Sequence, residues 1–190
     1  QYDRNPRFHR ILAELTGNQV YIRPFFASWL CATCPLLTSC ITETCGHDLL
    51  WNGDRASFEA LARHNVELVR SSEAWMVVTP CAECARTWKI DYEPFFEGRI
   101  PQVVHLTELL EERFADLRLK ANGMSRITYQ DPCRLCRHLG ISDAPRKVLE
   151  AIPGIELKEM ASSRHRATCC AGGTWGNCDR FAKRIQIDRL

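Results

Sequence analysis

An α/β fold, built as two similar Rossmann-like modules with parallel sheets, is predicted by three observations. Strand-like apolar runs alternate with amphipathic helical stretches along most of the chain. Two of the strands end in the same run, Pro-Cys-x-x-Cys, at Pro80 to Cys84 and at Pro132 to Cys136. The spacing repeats as well: 35 residues separate Cys45 from Cys81, and 35 separate Cys133 from Cys169. Parallel strands need long crossovers, which helices supply, and such sheets present their functional loops at the strand C-terminal ends.

The first stretch, Asn5 to Gly17, reads as a short amphipathic helix closed by glycine, and Gln19 to Ile22 as a strand. Asp54 is a good N-cap for a helix from Arg55 to about Arg70, because Phe58, Leu61, Ala62 and Val66 recur at helical spacing. The continuous apolar run Ala74 to Thr79 predicts a buried strand that delivers Pro80-Cys81-Ala82-Glu83-Cys84 at its end. Cys84 leads into another helix, through Trp88. Gln102 to Leu106 reads as a strand, Thr107 as the cap of a helix from Glu108 to about Lys120, and Arg126 to Tyr129 as a strand ending at Asp131-Pro132-Cys133. A helix from Asp143 to Ile152, broken by Pro153-Gly154, a strand from Ile155 to Met160 and a last helix capped by Asn177 complete the pattern. The domain plan is an N-terminal segment, 1–42, a first cysteine-rich module, 43–122, and a second, 123–190, that is incomplete at its C-terminal end.

Composition excludes several classes. The net charge is +2, from 25 basic and 23 acidic residues that are interspersed, with no basic runs interleaved with aromatics. That argues against a nucleic-acid or anionic-membrane surface. No apolar run approaches the ~20 residues needed to cross a bilayer, and no secretory segment is present, so any membrane link must come through a partner.

The eleven cysteines carry the chemistry. An odd, locally clustered set cannot pair off completely, and it suits metal ligation in a reducing, cytoplasmic setting better than a disulfide scaffold. Cys169-Cys170-Ala171-Gly172-Gly173 is hard to explain as packing, because neighbouring Cβ atoms on an extended backbone point apart and the glycines let the chain fold tightly. Both thiolates then reach one polynuclear centre, and an iron-sulfur site is the reading. A Cys-x-x-Cys pair alone is as often a zinc or redox dithiol, and a lone buried cysteine is commonly a small hydrophobe, which is the reading weighed for Cys136 and Cys178. His47, His105, His138 and His165 are read as surface or loop-holding residues rather than iron ligands. Trp88 and Trp175 are read as packing that keeps water from a cluster. Cys31-Ala32-Thr33-Cys34-Pro35, followed by Cys40, is similar to part of a ferredoxin-type four-iron site, although Pro35 follows Cys34 at once where such a motif carries further cysteines.

From Glu43 onward the chain resembles the cysteine-rich, CCG-domain proteins, which include heterodisulfide reductase catalytic subunits and iron-sulfur subunits of glycolate, lactate and glycerol-phosphate oxidoreductases. The carriers are Glu43-Thr44-Cys45-Gly46-His47-Asp48, Thr79-Pro80-Cys81-Ala82-Glu83-Cys84, Val104 to Leu110, Asp131-Pro132-Cys133, Arg137 to Ile141, Pro145 to Leu149, Ile152-Pro153-Gly154 and Cys169-Cys170-Ala171-Gly172-Gly173. The resemblance implies that Cys45, Cys81 and Cys84 belong to a first set of cluster ligands and Cys133, Cys169 and Cys170 to a second, each complete set holding a noncubane [4Fe-4S] cluster. Neither set is whole: Thr44 stands where the first would have a cysteine, Ala171 replaces a glycine, and the closing Cys-x-x-Cys of the second would fall past Leu190. Either the protein is a diverged member with fewer clusters, or these are stretches of a longer polypeptide, which the start at Gln1 and the compressed Cys34-Pro35 favour. An intact mass near 21.8 kDa would exclude the latter. In the former case Cys81, Cys84, Cys133, Cys169 and Cys170 form one mixed site.

The resemblance further implies an iron-sulfur oxidoreductase subunit of a heterodisulfide-reductase-like complex, with Cys81, Cys84, Cys133, Cys169 and Cys170 at the disulfide-reducing cluster. Cys31, Cys34, Cys40 and Cys45 are cofactor-binding candidates, the first three for an additional cubane. Implied partners are ferredoxin-like and flavin- or haem/quinone-linked membrane subunits, which would hold the chain peripherally at a membrane, and a small-molecule or protein disulfide. The alternatives are an electron-transfer subunit of a flavin-dependent hydroxyacid oxidoreductase and a structural zinc module.

Overall fold

The computed structural model describes residues 20–22, 45–72, 74–98, 100–117, 119–120, 123, 125–170 and 179–188. They fall into two compact units, 1–109 and 110–190, each with its own parallel sheet. The α/β architecture predicted from the alternating pattern is therefore observed. The helix expected over Asn5 to Gly17 lies outside the described residues.

In the first unit the strands β1 (Val20–Ile22), β2 (Met76–Thr79) and β3 (Gln102–His105) lie in the order β1-β2-β3. Val20 pairs with Met76, and Thr79 with His105. The sheet thus includes a strand from the N-terminal segment. Two helices, α1 (His47–Trp51) and α2 (Arg55–Ser71), precede β2. Asp54 caps α2 as expected, its carboxylate accepting from the Ser57 N–H at 3.1 Å. Phe58, Ala62, Val66 and Val69 form its buried stripe. All four residues of β2 are buried because both of its faces are covered. Val77 packs with Phe58, Ala62, Val66, Val69, Trp88 and Tyr92, while Met76 and Val78 on the opposite face pack with Val104 and Leu109.

The helix expected to leave Cys84 begins earlier. α3 (Ala82–Arg86) places Cys81 at its N-cap and Cys84 in its first turn, and it continues as a π-helical stretch, Thr87–Asp91, and a 3₁₀ turn, Glu93–Phe95. β3 passes without a loop into α4 (Leu106–Glu112). Thr107 is therefore not its cap. The His105 N–H is instead taken by the Glu108 carboxylate at 2.7 Å, half of a capping box, and the Thr107 hydroxyl turns to the His105 ring. The helix also stops well short of Lys120, where a 3₁₀ turn at Phe114–Asp116 follows.

The second unit pairs β4 (Ser125–Ile127) with β5 (Ile155–Leu157), both shorter than their apolar runs suggested. Between them lie a π-helical turn, Arg134–His138, and α5 (Asp143–Glu150). A 3₁₀ turn at Arg164–Arg166 and α6 (Asp179–Asp188) follow. Among the described residues no helix is long and apolar enough to cross a membrane.

Candidate functional site

In the first unit the loops after β2 and before α1 bring three thiols together. Cys45 and Cys84 are buried, Cys81 is half-buried, and the Cys84 Sγ lies 3.1 Å from that of Cys45. Cys84 is also hydrogen-bonded to Cys81, which sits at the N-terminus of α3 facing the backbone N–H groups of Glu83 and Cys84. Donation from Cys84, together with those amides, draws the Cys81 thiol down to about 7, against burial. Cys84, enclosed between two other sulfurs, is pushed up instead and holds its proton.

His47 lies beside this trio. Burial works to lower its pKa, yet the Cys45 side chain and the Glu83 carboxylate, 3.1 Å away, outweigh it and raise the imidazole to about 10. A cation is therefore placed next to a thiol that must lose its proton to act as a ligand. The Cys45 backbone is fixed from below: the Tyr92 hydroxyl donates to the Cys45 carbonyl at 3.1 Å and accepts from Asn65 Nδ2 at 2.7 Å. Tyr92 and Asn65 are fully buried, and Trp88 stacks against Tyr92 with ring centroids 4.5 Å apart.

Gly46, directly after Cys45, has φ +69°, and a Cβ there would stand 3.0 Å from Leu61 Cδ2 and 3.2 Å from Phe58 Cδ2. Gly46→Ala is expected to cost at least the left-handed penalty of about 1–2 kcal/mol, measured by urea unfolding.

His105 sets the other side of the loop. The Pro80 carbonyl can only accept, so Nε2, 3.2 Å away, carries the proton and Nδ1 accepts from Thr107. Burial depresses its pKa below the ordinary 6.5. A depressed folded value means stability that is present above pH 6.5 and is lost as pH falls through the folded pKa. His47 acts in a separate window: its contribution is complete below pH 6.5 and is lost as pH rises towards about 10. Melting temperatures of the metal-free chain should fall below pH 6.5 with a slope that His105→Gln reduces.

In the second unit Cys133 is half-buried at the start of the π-helical turn, Cys169 is exposed and Cys170 half-buried after the 3₁₀ turn. Cys136, buried inside the turn, is raised by that burial. Asp131, two residues before Cys133, is held in a bidentate pair by Arg146, with Nη1 to Oδ1 at 2.7 Å and Nη2 to Oδ2 at 2.8 Å. The two are 2% and 3% exposed. Arg146 also donates to the Glu159 carboxylate and to the Ser142 carbonyl. Motif spacing does not announce this network, since in the sequence Asp131 and Arg146 belong only to matched stretches.

Of the predicted site residues the structure thus brings Cys45, Cys81 and Cys84 together in one unit and places Cys133, Cys169 and Cys170 in the other. Cys31, Cys34 and Cys40, like Ala171 to Cys178 including Trp175, lie outside the described residues. No described cysteine is in a disulfide. His47 and His105 hold loops through hydrogen bonds, and His138 and His165 are exposed.

The family described as "CCG: Cysteine-rich domain" matches residues 39–89 and 127–188, more than half of the chain. The chain belongs to this family. One subunit of the dihydromethanophenazine:CoB–CoM heterodisulfide reductase of Methanosarcina acetivorans is 38% identical over 116 residues, 60% of this chain and 28% of that protein. A subunit of the fumarate reductase (CoM/CoB) of Methanothermobacter marburgensis is 34% identical over 129 residues, 68% of this chain and 25% of its own length. The "probable iron-sulfur-binding oxidoreductase FadF" of Bacillus subtilis is 34% identical over 142 residues, 72% of this chain and 20% of the relative. The chain therefore spans about a quarter of the length of these relatives. No solved structure matches.

Several observations bear on whether an iron-sulfur group fits. The donor set of the first unit is all sulfur, the soft ligand type that such clusters take. Among the described residues no three His, Cys, Asp or Glu side chains surround a position for a single metal ion. The sulfurs meet pairwise, Cys45 to Cys84 and Cys84 to Cys81. Trp88, 2% exposed and in the same core cluster as Cys45 and Cys84, has an indole N–H with no hydrogen-bond partner among the described residues. A buried orphan donor in the core cluster that also holds Cys45 and Cys84 is the kind of group that inorganic sulfide would satisfy. The residues fit.

Proposed function

We propose that the chain is part of an iron-sulfur oxidoreductase subunit of a heterodisulfide-reductase-like complex, which carries electrons to a disulfide and releases thiolates. The observation that carries this reading is the meeting of Cys45, Cys81 and Cys84 at the C-terminal end of β2. The names of the relatives support it, being those of reductase subunits and an iron-sulfur oxidoreductase. Cys45, Cys81 and Cys84 would be ligands in the first unit, and Cys133, Cys169 and Cys170 in the second, of noncubane [4Fe-4S] clusters. Cys31, Cys34 and Cys40 are proposed for a further cubane.

When bound, such a cluster supplies one-electron transfer and an iron that can take the sulfur of a half-reduced disulfide. The chain's own residues prepare for it. Cys81 is readied as a thiolate by the hydrogen bond from the Cys84 side chain and by the backbone N–H groups of Cys84 and Glu83, His47 offers positive charge to Cys45, and Trp88, Tyr92 and Phe96 keep water from the buried side. His105 holds the Pro80 carbonyl and with it the entrance to Cys81. The partners proposed are ferredoxin-like and flavin- or haem/quinone-linked subunits, with the chain peripheral to any membrane.

The test is anaerobic reconstitution followed by assay of iron and acid-labile sulfide, and then electron paramagnetic resonance with candidate disulfides. Equal iron and sulfide with a signal altered by a disulfide is the expected result. Colourless protein containing zinc would overturn the reading, and a cluster indifferent to every disulfide would leave only an electron relay.

A further inference from the structure

The second unit contains a set of contacts that the proposed ligands do not account for. Three hydrogen bonds join the segment 130–137 to the segment 164–168 without any strand ladder. The Arg164 N–H donates to Asp131 Oδ2 at 2.6 Å, Gln130 Nε2 donates to the Thr168 carbonyl at 2.9 Å, and Arg137 Nη1 donates to the Ala167 carbonyl at 2.8 Å. Their partners are 30 to 38 residues apart in sequence. The first segment contains Cys133, and the second ends immediately before Cys169 and Cys170.

Asp131 can serve as the pivot because Arg146 holds both of its oxygens inside the unit, and Gln130 also donates to the Asp131 carbonyl at 2.9 Å. Arg164 takes a positive φ of 58°, a conformation that a non-glycine residue keeps only where its surroundings over-determine it. The bond to Asp131 supplies that constraint. Arg137 is exposed and Gln130 only half-buried, so core packing does not explain them. Both address the carbonyls of the two residues directly before the cysteine pair.

We propose that Asp131, Arg146, Gln130 and Arg137 are positioning residues, a clasp that holds the Cys133 segment against the Cys169–Cys170 segment by protein contacts alone. That the clasped segments then serve as cluster ligands rests on the function proposed above. Pre-placed ligands would avoid ordering two remote loops at the moment of assembly.

The experiment uses the full chain, kept metal-free and reduced, and dibromobimane, which bridges only thiols close to one another; the bridged peptides are mapped by mass. Wild type should give a bridge from Cys133 to Cys169 or Cys170. In Gln130→Ala/Arg137→Ala its yield should fall by about fivefold or more, with the melting temperature unchanged. The Cys45 to Cys84 bridge, whose sulfurs are 3.1 Å apart, serves as internal control. Arg146→Ala should show the same loss, and if it fails to fold the double variant decides alone. On reconstitution the double variant should also take up less iron and sulfide and give a broadened resonance signal. An unchanged bridge in the double variant, or none in wild type, overturns the proposal. If the bridge depends on the clasp but wild type takes up no iron and sulfide, the clasp stands and the cluster reading falls.

Discussion

Arg146→Ala is expected to destabilise the second unit by about 3–5 kcal/mol, because it leaves the Asp131 carboxylate buried without its charge partner, with the Arg164 N–H still donating to Oδ2. Arg146 answers both oxygens of a carboxylate that is 2% exposed. Glu159 needs it less, since that carboxylate reaches solvent. Lysine in its place keeps the charge but has no planar fork to span two oxygens, so Arg146→Lys should recover only part of the loss. Asp131→Asn in an Arg146→Met background removes the buried charge and should restore stability relative to Arg146→Met alone. The acid limb carries the same signature. Burial works to raise the Asp131 carboxyl, but Arg146 and the Arg164 N–H hold it below the ordinary 3.8. Its contribution is therefore present above that value and is lost as pH falls through the folded one. Denaturant midpoints across pH 3 to 7 should fall more steeply on the acid side in wild type than in Arg146→Met/Asp131→Asn, which lacks the titrating carboxyl.

Much of the first unit can be read from residue order because its determinants are local. Asp54 and the Phe58, Ala62 and Val66 stripe fix α2 within one residue of where spacing puts it. The unbroken Met76 to Thr79 run announces a strand covered on both faces and so the position of Pro80-Cys81. Turn by turn the legibility fails. Thr107 has the composition of an N-cap, but its hydroxyl is engaged by the His105 ring, a neighbour placed by the Pro80 carbonyl 25 residues earlier. Neither π-helical stretch has a local signature in its composition; the first begins three residues after Cys84 and the second takes in Cys136, and at each an inserted residue re-aims the side chains. The contacts that complete the site span still longer distances: Tyr92 to Cys45 over 47 residues, Arg146 to Asp131 over 15 and Arg164 to Asp131 over 33. One signal was present. Arg146 directly follows Ala144 and Pro145 in the first half of α5, where all three are buried, and a buried arginine demands a buried acid somewhere in the fold. The cysteine grouping singled out the loops in which Cys45, Cys81 and Cys84 meet, yet which sulfurs touch followed only from Cys84 entering α3 in its first turn.

Trp88→Ala should be the most damaging single change in the first unit, costing about 3–5 kcal/mol in the metal-free chain. Trp88 fills the space between Tyr92, at 4.5 Å between ring centroids, and Phe96, at 6.2 Å, and it lies on the π-helical stretch that continues from Cys84. Losing it opens a cavity under the Tyr92 ring, whose hydroxyl holds the Cys45 carbonyl, so the Cys45 to Cys84 approach should loosen as well. Trp88→Phe separates volume from polarity. It keeps an aromatic against Tyr92 and removes an indole N–H whose burial without a partner costs about 1–3 kcal/mol, so part of the lost packing is offset. In the metal-free chain Trp88→Phe should therefore lose less than half of what Trp88→Ala loses. In the reconstituted protein the order of importance changes. If the indole donates to a cluster sulfide, Trp88→Phe shifts the reduction potential of the centre although the fold hardly notices, whereas a residue that only fills space leaves the potential where it was. Urea unfolding of the metal-free variants and redox titration of the loaded ones measure the two effects independently.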